Sequence, residues 1–527
     1  MNDVETIRQY LIPPSVGPIV GCIEPGSVRL CMRASDDVIE PRIGLVILQA
    51  QDPMGPIWVD KLYFGDADRD YTGAITIGGL DSGRRYLAWM FTFGSPSGGA
   101  TINQIVNCIR STLDLKAVLG PLDGEENRAE FVIPRHIGSK DQSRFAFFLG
   151  SCKHPGTVVH SRLAEATSTM MLNKVLKLQG ASVESILPHC LVLVGDQIYS
   201  DGFGGYGSAA KSSGDFFAAY REAFDRRRPI SRVMARCPTY MIWDDHEFAD
   251  NWEPSVQVPA IDKTAFANAV SAYCAYQQQL YGPGKSVLHN RNFDLGGCGF
   301  YLLDTRSERL RNPEPRCFRQ NKMFGWNAHT SAPHGGEPSL DALIDWLRKQ
   351  QEMQPRRPKF IVSPVPIAPS RRDDVFDPGN SDTWNAFPLS KVNLLRAIID
   401  HNIERVVFLS GDYHSSNVTE MTLANGTNRE TRTLWSITSS GLFVPFARSL
   451  KRDYLMNSKV ECDTFDVGDG WSMDYEVQKL GPTELDTEIA NYDNFAYFDV
   501  TSGPNIATLD ISFCGVSMAA TKQVAFS

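Results

Sequence analysis

The hydrophobic pattern divides the chain into two parts with different predicted folds. Between residues 15 and 135, short apolar runs alternate with polar positions or are rich in β-branched side chains, and turn sequences separate them. Strands at this spacing, with no helical stretch between them, are typical of an antiparallel β-sandwich of the immunoglobulin or fibronectin type. This part shows no catalytic pattern. We interpret residues 1–140 as an N-terminal packing or interaction domain.

From about residue 144 the pattern changes to continuous apolar runs separated by amphipathic segments. The runs are FAFFLG (145–150), CLVLVG (190–195), TYMIW (239–243), FYLLD (300–304), KFIVSPV (359–365) and RVVFLSG (405–411). Runs that are apolar on both faces and alternate with helices indicate buried strands of an α/β sheet. Strand-like segments return after about residue 432. The sequence therefore predicts a second, α/β domain over residues 141–527, with a β-rich C-terminal segment.

Composition and charge exclude several classes of protein. A net charge of −9 argues against nucleic acid or an anionic membrane as the main partner, because either would require a basic surface. No stretch approaches the ~20 apolar residues of a membrane span. The first residues show neither a signal peptide nor a twin-arginine leader, so the sequence as written predicts a cytoplasmic protein; removal of a leader would allow export. Eleven scattered cysteines without a CxxC pair do not predict a disulfide scaffold.

Metal-binding or charged side chains follow most of the predicted strands. Ser151 and Cys152 follow the first run, and the later runs lead into residues 196–199, 244–247, 305–306 and 412–414. Ligands of open α/β sheets bind beyond the carboxyl ends of the strands. A single aspartate at such a position often caps the next helix, but clustered carboxylates repel one another unless a cation neutralises them. The pattern therefore predicts a metal site.

Three motifs carry this prediction, and each has a simpler alternative. In GDQIY, Asp196 and Tyr199 could bind one ion together and Asp196 could bridge to a second; the alternative is a turn aspartate near a core tyrosine. In WDDHE, three carboxylates flank His246 and favour its protonated form, which suits a general acid; the alternative is a solvated acidic loop. In GDYH, an extended backbone turns Asp412 and His414 to one side; the alternative is a helix cap with an incidental histidine.

Two further residues are ambiguous when they are considered alone. Cys152, directly after a buried strand, has the pattern of an inert core cysteine. Arg306, in the segment LDTR, could hold a phosphoryl group through two hydrogen bonds, and a structural salt bridge is the alternative.

The motifs GSC, GDxxY, DDHE, LDTR and GDxH resemble, in this order, those of the PhoD-like (alkaline phosphatase D) family of calcineurin-like metallophosphoesterases. The resemblance covers residues 144 to about 445 and includes the segment DTW at 382–384. It implies a metallophosphoesterase-type αββα sandwich core after the N-terminal β-sandwich. It also implies a catalytic site that contains metal ions.

The resemblance implies an iron centre, with ferric iron as the expected ion. Phenolate and thiolate are anionic donors that suit such an ion. The implied iron ligands are Cys152, Asp196, Tyr199 and His414.

The resemblance also implies a second site, to which Asp196 would bridge. Its implied ligands are Asp245, Asp412 and Asn251, all of them oxygen donors. Oxygen donors favour calcium, and zinc, manganese and magnesium are the alternatives.

The implied reaction is metal-dependent hydrolysis of phosphate esters at a di- or trinuclear site, by in-line attack of a metal-activated hydroxide. His246 would protonate the departing alkoxide, and Arg306, Arg309 and Trp384 would contact the substrate. Nucleotide, polymer and phosphatidyl phosphodiesters are alternative substrates of the same chemistry. The alternative outside that chemistry is a binding or scaffold protein that has lost catalysis. The sequence predicts neither a preference between monoesters and diesters nor an oligomeric state.

Overall fold

The structure of the chain is a computed structural model, which describes most of its residues. The described residues are 4–51, 53–94, 100–112, 114–134, 143–156, 160–180, 188–202, 208–254, 263–282, 290–327, 330, 332–445, 448–481, 487–503 and 507–526. The predicted domain boundary between residues 140 and 141 lies outside these residues.

Two small antiparallel sheets form the first 134 residues. Their strands are β1 (Leu11–Ile12), β2 (Val16–Glu24), β3 (Ser27–Arg33), β4 (Ile43–Ala50), β5 (Ile57–Tyr63), β6 (Thr72–Gly78), β7 (Arg85–Phe93) and β8 (Arg128–Val132). Strands β2, β3 and β6 form one sheet, and β1, β4, β5, β7 and β8 form the other. The sheets pack closely, since a Cβ on Gly44 of β4 would lie 2.2 Å from Cε of Met32 of β3.

The expectation that this first part contains no helices is wrong. It contains α1 (Val4–Arg8), α2 (Ile102–Arg110) and α3 (Leu115–Leu119). A capping box of Thr101 and Gln104 starts α2, and its apolar residues Ile105 and Ile109 are buried against the five-stranded sheet. Helices α2 and α3 lie close to strand-like sequence on either side. The hydrophobic pattern of the chain therefore did not reveal them.

Two larger mixed sheets and one two-stranded sheet contain the remaining described strands. The bounds are β9 (Ser143–Gly150), β10 (Pro188–Val194), β11 (Thr239–Ile242), β12 (Arg291–Leu295), β13 (Cys298–Leu302), β14 (Trp326–Asn327), β15 (Ala332–Pro333), β16 (Lys359–Val362), β17 (Val406–Ser410), β18 (Asn417–Asn425), β19 (Thr431–Thr438), β20 (Phe465–Gly468), β21 (Trp471–Val477), β22 (Asn494–Ser502), β23 (Ala507–Gly515) and β24 (Ala519–Phe526). The six-stranded sheet has the order β11-β10-β9-β22-β23-β24, the eight-stranded sheet has the order β12-β13-β16-β17-β19-β18-β21-β20, and β14 pairs with β15. All six predicted buried strands are present.

The larger sheets face each other across an aromatic core, and helices lie against them. Phe147 of β9 stacks on Phe498 of its own sheet at 4.3 Å, and its ring meets Phe300 and Phe360 of the other sheet edge-on at 5.4 Å each. The helices are α4 (Ser161–Ala164), α5 (Ala166–Gly180), α6 (Ser213–Ala223), α7 (Pro229–Met234), α8 (Lys263–Tyr276), α9 (Pro338–Met353), α10 (Arg372–Phe376) and α11 (Pro388–Asp400). None of the described helices is both long enough and apolar enough to cross a membrane.

Strand direction places the predicted motifs at one end of both sheets. Strands β9, β10 and β11 are parallel neighbours in the first sheet, and β13, β16 and β17 are parallel neighbours in the second. The carboxyl ends of parallel strands lie at the same edge, where the connecting loops can bring their side chains together. The backbone links two of these loops directly, because Cys152 N donates to Gly195 O at 3.2 Å.

Candidate metal centre

Four strand-end loops bring seven potential metal-binding side chains together. The side chains form three groups whose ligand atoms lie within 4.8 Å of one another. The groups are Cys152, Asp196 and His414; Asp196, Asp245 and His246; and Asp244, Asp245 and Asp412. Because Asp196 belongs to the first two groups and Asp245 to the last two, the arrangement is that of sites which share carboxylates. Asp244, which our sequence analysis did not select, is part of this cluster.

The carboxylates of this cluster are incompletely paired. Asp196 Oδ1 and Asp244 Oδ2 are buried and have no hydrogen-bond partner. Burial raises the pKa of Asp196 well above its ordinary value; the charge of His246 opposes this, and the neighbouring carboxylates add to it. Burial also raises the pKa of Asp244 to about 6, although Arg306 favours its ionised form. Unpartnered carboxylate oxygens this close together are the donors that a cation requires.

The backbone is strained at the predicted ligands. Cys152, Asp196, Asn251, Asp412 and His414 all have φ between +50° and +70°, in the left-handed region. Non-glycine residues in such conformations cost about 1–3 kcal/mol each, and they cluster at functional sites. Four of these five residues, on three separate loops, belong to the potential ligand groups.

The predicted thiolate and phenolate donors both lie near one oxygen of the Asp196 carboxylate. Cys152 Sγ is 3.3 Å from Asp196 Oδ2, and Tyr199 Oη is 3.5 Å from the same oxygen. Burial and the charge of Asp196 raise the pKa of the Cys152 thiol well above its ordinary value. Burial and the charges of Cys152 and Asp196 do the same for Tyr199. Both groups therefore need a cation to ionise them, as metal ligands do.

The two histidines of the cluster have opposite electrostatic environments. Burial lowers the pKa of His246, but the carboxylates of Asp245, Asp196 and Asp201 more than offset this and hold it well above its ordinary value. His246 Nδ1 is 2.6 Å from Asp201 Oδ2. Burial and the charge of His246 lower the pKa of His414 to about 4. These environments favour the protonated form of His246 and the neutral form of His414, which is the form that ligates a metal.

Asn251 lies at the exposed edge of the cluster. Its backbone N–H donates to Asp245 Oδ2 at 2.6 Å, which helps to orient that carboxylate. The side chain of Asn251 is exposed, and its predicted role as a ligand stays a prediction.

Glu247 fastens two of the loops together, a role that sequence analysis missed. Its Oε2 accepts the backbone N–H groups of Asp196 and Asp244, at 3.1 and 2.9 Å. Its Oε1 accepts the N–H of Gln197 at 2.9 Å and the side-chain amide of Gln277 at 3.2 Å. Burial raises the pKa of Glu247 to about 8, although the backbone donors stabilise the carboxylate. Its position beside DDH was visible in the sequence, but its partners were not.

Both predicted substrate-binding arginines are completely buried and bound to carboxylates. Asp382 accepts from Arg306 Nη1 and Nη2 at 2.7 and 2.6 Å, and Asp244 accepts from Arg306 Nε. Arg309 also donates to Asp382, and to Thr305 O at 2.6 Å. These contacts leave neither guanidinium facing solvent.

Trp384 is likewise fully buried, and its Nε1 donates to Ser363 Oγ at 3.1 Å. The burial of all three side chains gives no support to direct substrate contact, which stays a prediction.

Strand-end loops from two facing sheets form a candidate metal centre in which potential ligand groups share carboxylates. Comparison with known proteins shows the family of the chain. The family model described as PhoD-like phosphatase matches residues 180–489, and the chain belongs to this family. The matched segment contains every predicted site residue except Cys152.

A curated protein and a solved structure are among those similar to this chain. Alkaline phosphatase D of Bacillus subtilis (strain 168) is 24% identical over 215 residues, which are 36% of this chain and 33% of that protein. The chain thus matches about a third of the length of this relative. A solved structure described as "Structure of PhoD" superposes with a TM-score of 0.62 at 14% identity, over 98% of this chain and 91% of the other. That likeness shows a shared fold.

Proposed function

We propose that the chain is a metal-dependent hydrolase of phosphate esters. The observation that carries the proposal is the Asp196 carboxylate, which belongs to two potential ligand groups and has a buried oxygen without a hydrogen-bond partner. Membership of the PhoD-like phosphatase family supports phosphoester hydrolysis as the chemistry. Monoesters and diesters, including the nucleotide, polymer and phosphatidyl types, all remain within the proposal.

The donor set fits the metals that the sequence predicted. We propose that Cys152, Asp196, Tyr199 and His414 hold iron, and that Asp245, Asp412 and Asn251 hold calcium or another divalent cation; Asp244 is a further candidate for this second site. When bound, the cations would supply the positive charge that polarises the phosphoryl group and activates water.

His246 is the proposed general acid. Asp201 binds its Nδ1, so Nε2 is the nitrogen that would deliver a proton to the departing oxygen. The environment of His246 favours a protonated imidazole, whereas that of His414 favours the neutral form that ligates a metal. Arg306 is better placed to position Asp244 and Asp382 than to contact the phosphoryl group.

The fold supports two assignments of domain architecture, which we make as proposals. The two facing mixed sheets with flanking helices correspond to the αββα core expected of a metallophosphoesterase, and the two small sheets correspond to the expected N-terminal sandwich. We propose a boundary near residues 140 and 141. A cytoplasmic location stays a prediction from the sequence.

Metal analysis combined with a visible absorption spectrum tests the proposal. We expect iron, a charge-transfer band that Tyr199→Phe weakens and shifts, and hydrolysis of p-nitrophenyl phosphate or its bis ester. The control is Tyr240→Phe, which removes another buried hydroxyl, one that contacts Ile23 N of β2 instead of the candidate ligands. Iron-free protein that hydrolyses esters with zinc or manganese would retain the hydrolase and exclude the ferric phenolate. Protein that takes up no metal would favour the non-catalytic scaffold.

A further inference from the structure

Arg371 lies beside the candidate metal centre, on a loop that sequence analysis did not select. It follows β16, whose parallel neighbour β17 leads into Asp412 and His414, so both loops leave the sheet at the same edge. The Arg371 guanidinium carbon is 5.7 Å from the centre of the Tyr413 ring. This contact fixes the guanidinium to the loop that carries the predicted ligands Asp412 and His414.

The segment that carries Arg371 is fixed to the loop after β17. Tyr413 Oη donates to Asp374 Oδ2 at 3.0 Å, and Ser381 Oγ donates to Asp374 Oδ1 at 2.9 Å. Asp374 also accepts the backbone N–H of Arg371 at 3.1 Å. The Asp374 carboxylate therefore binds donors other than the Arg371 guanidinium, and it holds the loop in place.

No described carboxylate lies within 4.0 Å of the Arg371 guanidinium, and its Nε is buried without a hydrogen-bond partner. The guanidinium instead contacts the Tyr413 ring. The adjacent Arg372 is different, because its Nη2 is 2.6 Å from Glu461 Oε1. Arg306 and Arg309 are also bound to carboxylates. A partly buried guanidinium that no carboxylate binds directly, near a candidate metal site, has the properties of an anion receptor.

We propose that Arg371 binds the non-bridging oxygens of the substrate phosphoryl group, an inference that rests on the proposed function. Two parallel N–H groups of a guanidinium match two phosphoryl oxygens in spacing and charge. Arg371 would then have the role that the sequence had suggested for Arg306 and Arg309. Its single positive charge would also hold an anion against the surrounding carboxylates.

Binding of inorganic phosphate to the metal-loaded protein tests this assignment without requiring turnover. We expect Arg371→Gln to weaken phosphate binding, measured by titration calorimetry, by about 10- to 100-fold, the range for hydrogen bonds to a charged group. Arg371→Lys retains the charge but not the paired donors, and it should recover part of the loss. Arg372→Gln is the matched control and should bind phosphate as the unaltered protein does. Metal content is measured for every variant.

The outcomes separate this inference from the proposed function. Unchanged phosphate affinity in Arg371→Gln, or loss of its metal, would overturn the assignment of Arg371. Absence of phosphate binding to the metal-loaded wild-type chain would overturn it as well. Wild-type protein that binds phosphate through Arg371 but hydrolyses no phosphate ester would support the receptor and refute the hydrolase.

Discussion

Two buried aspartates, one in each part of the molecule, have similar backbones and opposite surroundings. Asp70 and Asp196 have left-handed φ values of 50° and 55°, and their exposed fractions are 6% and 1%. Asp70 Oδ2 accepts from Arg33 Nε at 2.9 Å, and Asp70 is also bound by the hydroxyl of Tyr276. Asp196 instead lies among other carboxylates.

The comparison shows that neither burial nor strain alone marks a functional carboxylate. Asp70 has a buried arginine and a tyrosine hydroxyl for its charge, and it joins the small sheets to α8 through Tyr276. Asp196 has a buried oxygen without any donor. A buried carboxylate without a donor is neutralised either by a proton or by a cation, so the unpartnered oxygen of Asp196 together with its carboxylate neighbours distinguishes the site from the scaffold.

The largest expected effect is on catalysis, from Asp196→Asn. Removing a shared ligand should lower kcat/KM for a phosphate ester by about a thousandfold or more, since it removes charge that a metal supplies to the transition state. The metal-free variant should be at least as stable as the unaltered chain, because a buried unpaired carboxylate is lost. Kinetics, metal analysis and denaturant unfolding check both statements. A variant with normal turnover and normal metal content would contradict the assignment of Asp196.

The matched change at Asp70 should have the reverse effect. Asp70→Asn leaves the buried Arg33 without its main counterion, so we expect the free energy of unfolding to fall by about 3 kcal/mol. Activity per folded molecule should change little, because Asp70 does not belong to any of the potential ligand groups. Urea titration and active-site-normalised kinetics provide the measurement. If Asp70→Asn lost turnover but kept its full stability, the distinction between a structural Asp70 and a metal-binding Asp196 would be wrong.

The smallest effect concerns pH. In the metal-free chain, burial raises the pKa of Asp244 to about 6 and of Glu247 to about 8, and raises that of Asp196 well above its ordinary value. A carboxylate whose pKa is raised by folding contributes stability that is lost as the pH rises through the folded value. Bound cations would neutralise the ionised carboxylates and so prevent this loss of stability.

Metal loading should therefore stabilise the chain more at pH 8 than at pH 6. Free metal at a hundred times its dissociation constant stabilises a protein by about 2.7 kcal/mol, and the gain at pH 6 should be smaller by about 1 kcal/mol because protons compete for the ligands. Thermal unfolding with and without chelator, at both pH values, measures the difference. Asp70→Asn should retain this pH-dependent gain, and Asp196→Asn should lose most of it. Equal gains at both pH values would argue against a carboxylate metal site.

Strand positions were predictable because burial on both faces leaves a direct signal in the sequence. FAFFLG and RVVFLSG are apolar throughout, and they form β9 and β17 within a residue or two of the predicted bounds. Helix α2 was missed because INQIVNCIR is short and mixes β-branched with polar residues, a composition that also suits a strand. Its capping box is a local signal that could have identified it.

The arginines show that motifs alone do not predict which charged side chains have a partner. Arg306 follows a strand end, as a substrate-binding arginine would, yet Asp382 binds it through both oxygens from a distant loop. Nothing near Arg371 in the sequence suggests a guanidinium without a bound carboxylate, because its neighbour Arg372 forms a salt bridge and two aspartates follow. Whether a charge has a partner depends on loops far apart in the chain, which residue spacing does not encode.

The sequence by itself determined which side chains stand at strand ends and that they are the types that bind cations. Local periodicity and composition are sufficient for this, because the apolar runs and the residues after them are adjacent in the chain. Only the tertiary structure decided that these ends belong to two facing sheets, that Asp196 and Asp245 are each shared between ligand groups, and that Glu247 fastens the loops. Those features depend on distances between segments separated by 40 or more residues, which packing sets and no local pattern records.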